Sequence, residues 1–83
     1  MITRIKITLK NGKTRLLNFG INNIEKVDKT RPLFIQLENG SSFINVTSEG
    51  ILTDKKELCI NEVNSERSFS IPAFKIFGWC YVD

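Results

Sequence analysis

Apolar and polar residues alternate along Ile5-Lys6-Ile7-Thr8-Leu9, and the run ends in Asn11-Gly12. The pattern recurs at Ile35-Gln36-Leu37-Glu38, which ends in Asn39-Gly40. A period of two is the signature of a strand with one covered and one wetter side. Asn-Gly is the dipeptide best suited to a type I′ turn, in which both central residues take φ > 0. Two antiparallel hairpins with two-residue loops are therefore predicted. Two copies are too few for a solenoid, so the recurrence is read as hairpin chemistry.

With a two-residue loop at Asn11-Gly12 the first register is fixed. Lys10 then faces Lys13, Thr8 faces Arg15, Ile7 faces Leu16 and Ile5 faces Asn18. One side of this ribbon is Ile5, Ile7, Leu9 and Leu16; the other collects Arg4, Lys6, Lys10, Lys13 and Arg15, with Leu17 and Phe19 at the end far from the turn. In the second hairpin the same rule sets Leu33, Ile35 and Leu37 with Ser42, Ile44 and Val46 on an inner side. Phe34, Gln36, Glu38, Ser41, Phe43, Asn45 and Thr47 then form the outer one. The two Phe residues predict that this outer side is partly covered as well.

A third hairpin is predicted to join Glu57–Val63 to Arg67–Ile71 through Asn64-Ser65-Glu66; a two-residue Asn64-Ser65 loop would pair Glu62 with Arg67, Ile60 with Phe69 and Leu58 with Ile71. Pro72 ends that strand because it cannot donate to a ladder. Ala73-Phe74-Lys75 reads as one helical turn, and Ile76–Val82 as a last strand apolar on both sides with a bend at Gly78. Residues 20–31 carry two signals. Ile21, Ile24 and Val27 have helical spacing and Asn22 with Glu25 resembles a capping box, while a strand near Ile24–Val27, followed by a turn at Lys29–Pro32, would continue a meander. The strand is the preferred reading.

Short strands separated by turn signals predict one all-β domain over residues 1–83, a small antiparallel barrel or sandwich. The passage Phe69-Ser-Ile71-Pro72-Ala-Phe74-Lys-Ile76-Phe-Gly-Trp79 resembles, in its strand, tight turn, strand rhythm, the closing part of SH3-like and Sm-like barrels. That rhythm implies a fold only, and no functional residues follow from it.

Composition changes this picture mainly by exclusion. Apolar residues are 41% and charged residues 25% of the chain, the profile of a folded globular protein and not of a disordered one. The N-terminal residues lack the apolar stretch of a secretory signal, and no apolar run reaches the ~20 residues of a membrane span; a cytoplasmic protein is expected. Cys59 and Cys80 are too few for a disulfide framework and have no metal-site spacing, so free, partly buried thiols are expected. Asn45-Val46-Thr47 matches a glycosylation acceptor, which needs a secreted context.

The chain has no histidine, the side chain most used for proton transfer near neutral pH and for binding metals. Its carboxylates are scattered singly, and its glycines lack phosphate-cradling spacing. No catalytic residue, metal ligand or cofactor is nominated, and a non-enzymatic protein is expected.

Charge is distributed unevenly. Residues 1–31 hold eight Lys/Arg against two acids, whereas residues 32–83 hold four against seven, within a net charge of +3. The cationic side of the first hairpin, with Arg4, Lys6, Lys10, Lys13 and Arg15, is therefore one candidate for recognising an anionic partner. The same pattern also serves as a solvated face whose lysines guard an edge against aggregation. A second candidate is the row Phe77, Trp79 and Tyr81 at alternate positions of the last strand, able to anchor a partner or to fill the core.

Two functions follow. The first is a protein-interaction module, a small regulator or inhibitor docking through the basic hairpin with Trp79 and Tyr81. Abundant Asn, Ile and Lys with a single alanine, Ala73, suit AT-rich coding sequence of low-GC bacteria, their phages and mobile elements. The second is a nucleic-acid-binding module using the same cations on phosphates and Phe19, Trp79 or Tyr81 on bases; the acidic later two thirds of the chain argue against it. A homodimer through an unpaired edge strand is a further expectation.

Overall fold

The computed structural model describes residues 4–52 and 56–83. Its strands are β1 (Arg4–Thr8), β2 (Thr14–Phe19), β3 (Leu33–Leu37), β4 (Ser42–Leu52), β5 (Glu57–Glu62), β6 (Ser68–Pro72) and β7 (Ile76–Tyr81), with 3-10 turns at Ile24–Lys26 and Ala73–Lys75. All seven strands belong to one antiparallel sheet in the order β1-β2-β7-β3-β4-β5-β6. The all-β prediction stands at this level. The last strand inserts between the first and second hairpins, and β1 and β6 each have a single neighbour, so among the described residues no barrel closes.

Both Asn-Gly hairpins turn one residue away from the predicted place. Arg4 pairs with Asn18, Lys6 with Leu16 and Thr8 with Thr14, and the Leu9 N–H donates to the Lys13 carbonyl. The loop is thus three residues, Lys10-Asn11-Gly12, with the Gly12 N–H returning to the Leu9 carbonyl and Gly12 at φ 85. The second hairpin repeats this design through Glu38-Asn39-Gly40, with Gly40 at φ 90. In each, only the glycine is left-handed, and the asparagine Oδ1 accepts the N–H two residues on, from Lys13 or Ser41, at 2.9 Å. A type I turn closed by a left-handed glycine competes with the type I′ turn, and the asparagine's local hydrogen bond favours it here.

Because strand side chains alternate, this shift exchanges the two sides of a strand. Leu17 is fully buried and Leu16 is 56% exposed, the reverse of the predicted arrangement. In the second hairpin Phe43, opposite Ile35, packs against the core, while Ile44 is exposed. A bulge at Asn45, left-handed at φ 58, restores the pairing of Leu33 with Val46, so that Val46 points inward as predicted.

The third hairpin has the predicted register, with Leu58 opposite Ile71 and Ile60 opposite Phe69, and the Glu62 N–H on the Arg67 carbonyl. β6 ends at Pro72, and the 3-10 turn at Ala73–Lys75 follows as expected. Residues 20–31 contain no strand. Ile24–Lys26 form a 3-10 turn that drives Ile24 and Val27 into the core, so the helical spacing was the correct signal. The capping box does not form, because the residue before the turn is Asn23 in a left-handed conformation without a side-chain cap.

Both faces of the central strands are covered. On one, Leu33, Ile35, Val46, Leu58, Ile60, Ile71, Ile76 and Trp79 pack with Ile24 and Val27. On the other, Leu9 and Leu17 meet Cys80, flanked by Ile5, Ile7, Phe34, Phe77 and Val82. The first hairpin therefore folds across the far side of β3 and β7. This two-sided burial explains why β7 is apolar throughout.

Candidate functional site

The first hairpin carries five cations and no acid between residues 4 and 19, but the observed register divides them. Arg4 and Lys6 project on the side of Thr8, Thr14, Leu16 and Asn18, whereas Lys13 and Arg15 share the side of Ile5, Ile7, Leu9 and Leu17, and Lys10 lies in the loop. The predicted five-cation face is therefore two smaller sets. Arg15 is drawn inward: its guanidinium donates to the Thr14 carbonyl at 2.9 Å and the Val82 carbonyl at 3.4 Å, leaving a buried Nε without a partner.

The aromatic row is divided too. A bulge opposite Gln36 and Leu37 turns Phe77 to the Cys80 side of the sheet. Trp79 is buried, 3% exposed, and its Nε1–H donates to the Asn22 carbonyl at 2.8 Å. It is a core residue, not an exposed anchor. Tyr81 is half-buried, edge-on to Trp79 with ring centroids 5.4 Å apart. Its hydroxyl accepts the Asp28 N–H at 2.8 Å, and Arg31 lies 3.7 Å above its ring centre.

Arg31 also donates through Nε and Nη2 to the Asp83 carboxylate at 3.0 and 2.9 Å, the one ion pair among the described residues. The bond holds the Asp83 carboxyl below the usual carboxylate range and raises the Arg31 guanidinium further. Asp28 is lowered by accepting the Thr30 hydroxyl and N–H. Tyr81 is thus covered by a polar clasp between the 28–31 turn and the end of β7.

What the fold does assemble is a shallow depression of about 290 Å³ lined by Arg4, Leu16, Asn18, Asn23, Lys26, Trp79 and Tyr81. Lys6 stands beside it, directly across from Leu16. Three of the nominated residues, Arg4, Trp79 and Tyr81, meet here with Lys6 adjacent; Lys10, Lys13 and Arg15 do not. Asn18 and Asn23 are tied together, Nδ2 of Asn23 donating to Oδ1 of Asn18 at 3.2 Å. Sequence reasoning missed Lys26, hidden in the ambiguous 20–31 segment, and Leu16, which the two-residue loop had placed inside.

The lining offers cations, amides and an exposed leucine, and no acid. Among the described residues no group of three or more Cys, Asp or Glu side chains is placed to hold a metal. Burial pushes the Cys80 thiol's pKa up against the opposing charge of Arg15, which disfavours the thiolate a nucleophile needs. Among the described residues no helix is long and apolar enough to cross a membrane. No family model, curated protein or solved structure matches the chain.

Proposed function

We propose that this protein is a non-enzymatic interaction module, a small regulator or inhibitor, that binds an acidic surface of another protein through the outer face of its first hairpin. The observation that carries this reading is the group Arg4, Lys6 and Lys26 around Leu16: three exposed cations with no ion-pair partner among the described residues, bordering an apolar side chain that is 56% exposed. An apolar centre with a charged rim is how protein interfaces are commonly built, the rim steering a partner of opposite sign.

The nucleic-acid reading draws less support. Base stacking needs an open ring face, and Trp79 is buried while Arg31 occupies one face of Tyr81. Phosphates remain attractive to the same cations, so the two readings are separated by experiment. The tagged protein and its Arg4→Glu/Lys6→Glu variant are used to capture partners from nuclease-treated extract. A discrete acidic protein retained by the parent and lost by the variant is the expected result. Retention of nothing after nuclease treatment, with salt-sensitive binding to an oligonucleotide, would reject it.

A further inference from the structure

The first hairpin has a free edge, and that edge overhangs an apolar groove. The Leu9 N–H bonds across to Lys13. Alternation along an antiparallel pair then makes Ile7 with Arg15 and Ile5 with Leu17 the bonded pairs, and directs the N–H and C=O groups of Lys6 and Thr8 away from β2. β1 is an outer strand, so among the described residues nothing pairs with them.

Beside this edge lies a groove of about 300 Å³. One wall is the consecutive run from Ile7 to Lys10, which is the last two residues of β1 and the start of the turn that follows it, and the floor includes Phe34, Gln36 and Ile44 from β3 and β4. The sheet floor extends farther than the hairpin laid over it, leaving Ile44 53% exposed. The missing cover has the position of one more strand beside β1.

We propose that an extended segment of the partner protein, with acidic and apolar residues in alternation, adds to β1 as a further strand. Main-chain bonds to Lys6 and Thr8 would supply affinity, and the alternation specificity, as in other strand-addition complexes. Side chains on one side of such a strand fall on Phe34 and Ile44. Those on the other side meet Arg4 and Lys6, so this inference rests on the acidic-partner reading and extends it to a binding mode. A second copy of the chain fits poorly, because two β1 strands paired to each other would bring Arg4 and Lys6 of both copies together, and like charges across a strand pair repel.

The probe is a synthetic peptide alternating glutamate with valine, compared with one in which the same residues are grouped in blocks. At saturation the Lys6 and Thr8 amides should become protected from hydrogen exchange, and the block peptide should bind much more weakly. Thr8→Pro removes an outward N–H while sparing the β1–β2 bonds, and should weaken binding by about five- to tenfold. Should Thr8→Pro fail to fold, Ile44→Glu, on an exposed position, decides: it should abolish binding.

Unchanged exchange at Lys6 and Thr8, equal binding of both peptides, or full binding by Ile44→Glu would overturn strand addition. If Arg4→Glu/Lys6→Glu still loses its captured partner in that event, the acidic-partner reading survives alone. Dimerisation without peptide that protects the same amides would give the edge to a second copy and overturn the proposal.

Discussion

Gly78 shows how a single missing side chain permits the arrangement of the central strands. It stands opposite Phe19 on β2 and Gln36 on β3, and a Cβ placed there would lie 2.6 Å from the Asn18 carbonyl oxygen and 2.7 Å from Leu17 Cδ2. Neither neighbour can yield easily, since one is backbone and the other a fully buried side chain. Gly78→Ala should therefore force β2 and β7 apart at a cost of about 1–3 kcal/mol, the usual range for overpacking. For a chain of this size each kcal/mol lowers Tm by about 4–8 °C, so thermal unfolding reads the effect directly; an unchanged Tm would mean that the two strands are not in this close contact. Gly12 differs in kind. A Cβ there meets nothing within 4 Å, and its left-handed φ of 85 alone makes glycine the fitting residue.

At the scale of the element, the contrast between the three hairpins shows what was legible in the sequence. Alternating residues located most of the strands, and the third hairpin's register followed from sensible partners alone, because Leu58 with Ile71 and Ile60 with Phe69 match on either side of the turn. In the first two hairpins the Asn-Gly signal marked that the chain reverses there, but not the loop length or the register. One dipeptide serves both a two-residue type I′ turn and the end of a three-residue turn, and the local bonds of Asn11 and Asn39 that distinguish them leave no mark on the apolar pattern. The error moved Leu16 in, Leu17 out, and gathered five cations that the fold separates. It also supplies a direct check on register: Leu17→Ala should cost about 2–5 kcal/mol, whereas Leu16→Ala should stay within about 0.5 kcal/mol. Urea unfolding of the two variants distinguishes the registers, since a turn one residue later would invert the order. Partner capture should show the opposite ranking, with Leu16→Ala the more damaging of the two.

At the scale of the whole molecule, the strand order carries the argument. β7 is the last of the described strands in sequence and yet lies between β2 and β3, so β7 is what links the first hairpin to the hydrogen bonding of the other strands. Its pairings with β2 and β3 join residues about 40 to 60 positions apart in the chain, and non-local pairing of this kind carries a loop-closure cost that slows folding. Alternation alone could not have shown this, because it reports which faces are covered and not which strand covers them. Cys80 lies on β7 at the junction of the two halves, 3% exposed and packed against Leu9 and Leu17. Its thiol is disfavoured from ionising by burial. Cys59, by contrast, is half-buried on β5 beside the outer strand β6, with its sulfur 3.6 Å from the Ser70 hydroxyl. Alkylation under native conditions should consequently modify Cys59 first and reach Cys80 only through opening of the sheet centre. Leu17→Ala should then accelerate Cys80 labelling by about tenfold for each 1.4 kcal/mol of stability lost, with a much smaller change at Cys59. Pulsed alkylation read by mass spectrometry follows both sites in one experiment. Equal labelling rates at the two cysteines would show that β7 detaches on its own, and the sheet would then be two loosely joined halves and not one cooperative unit.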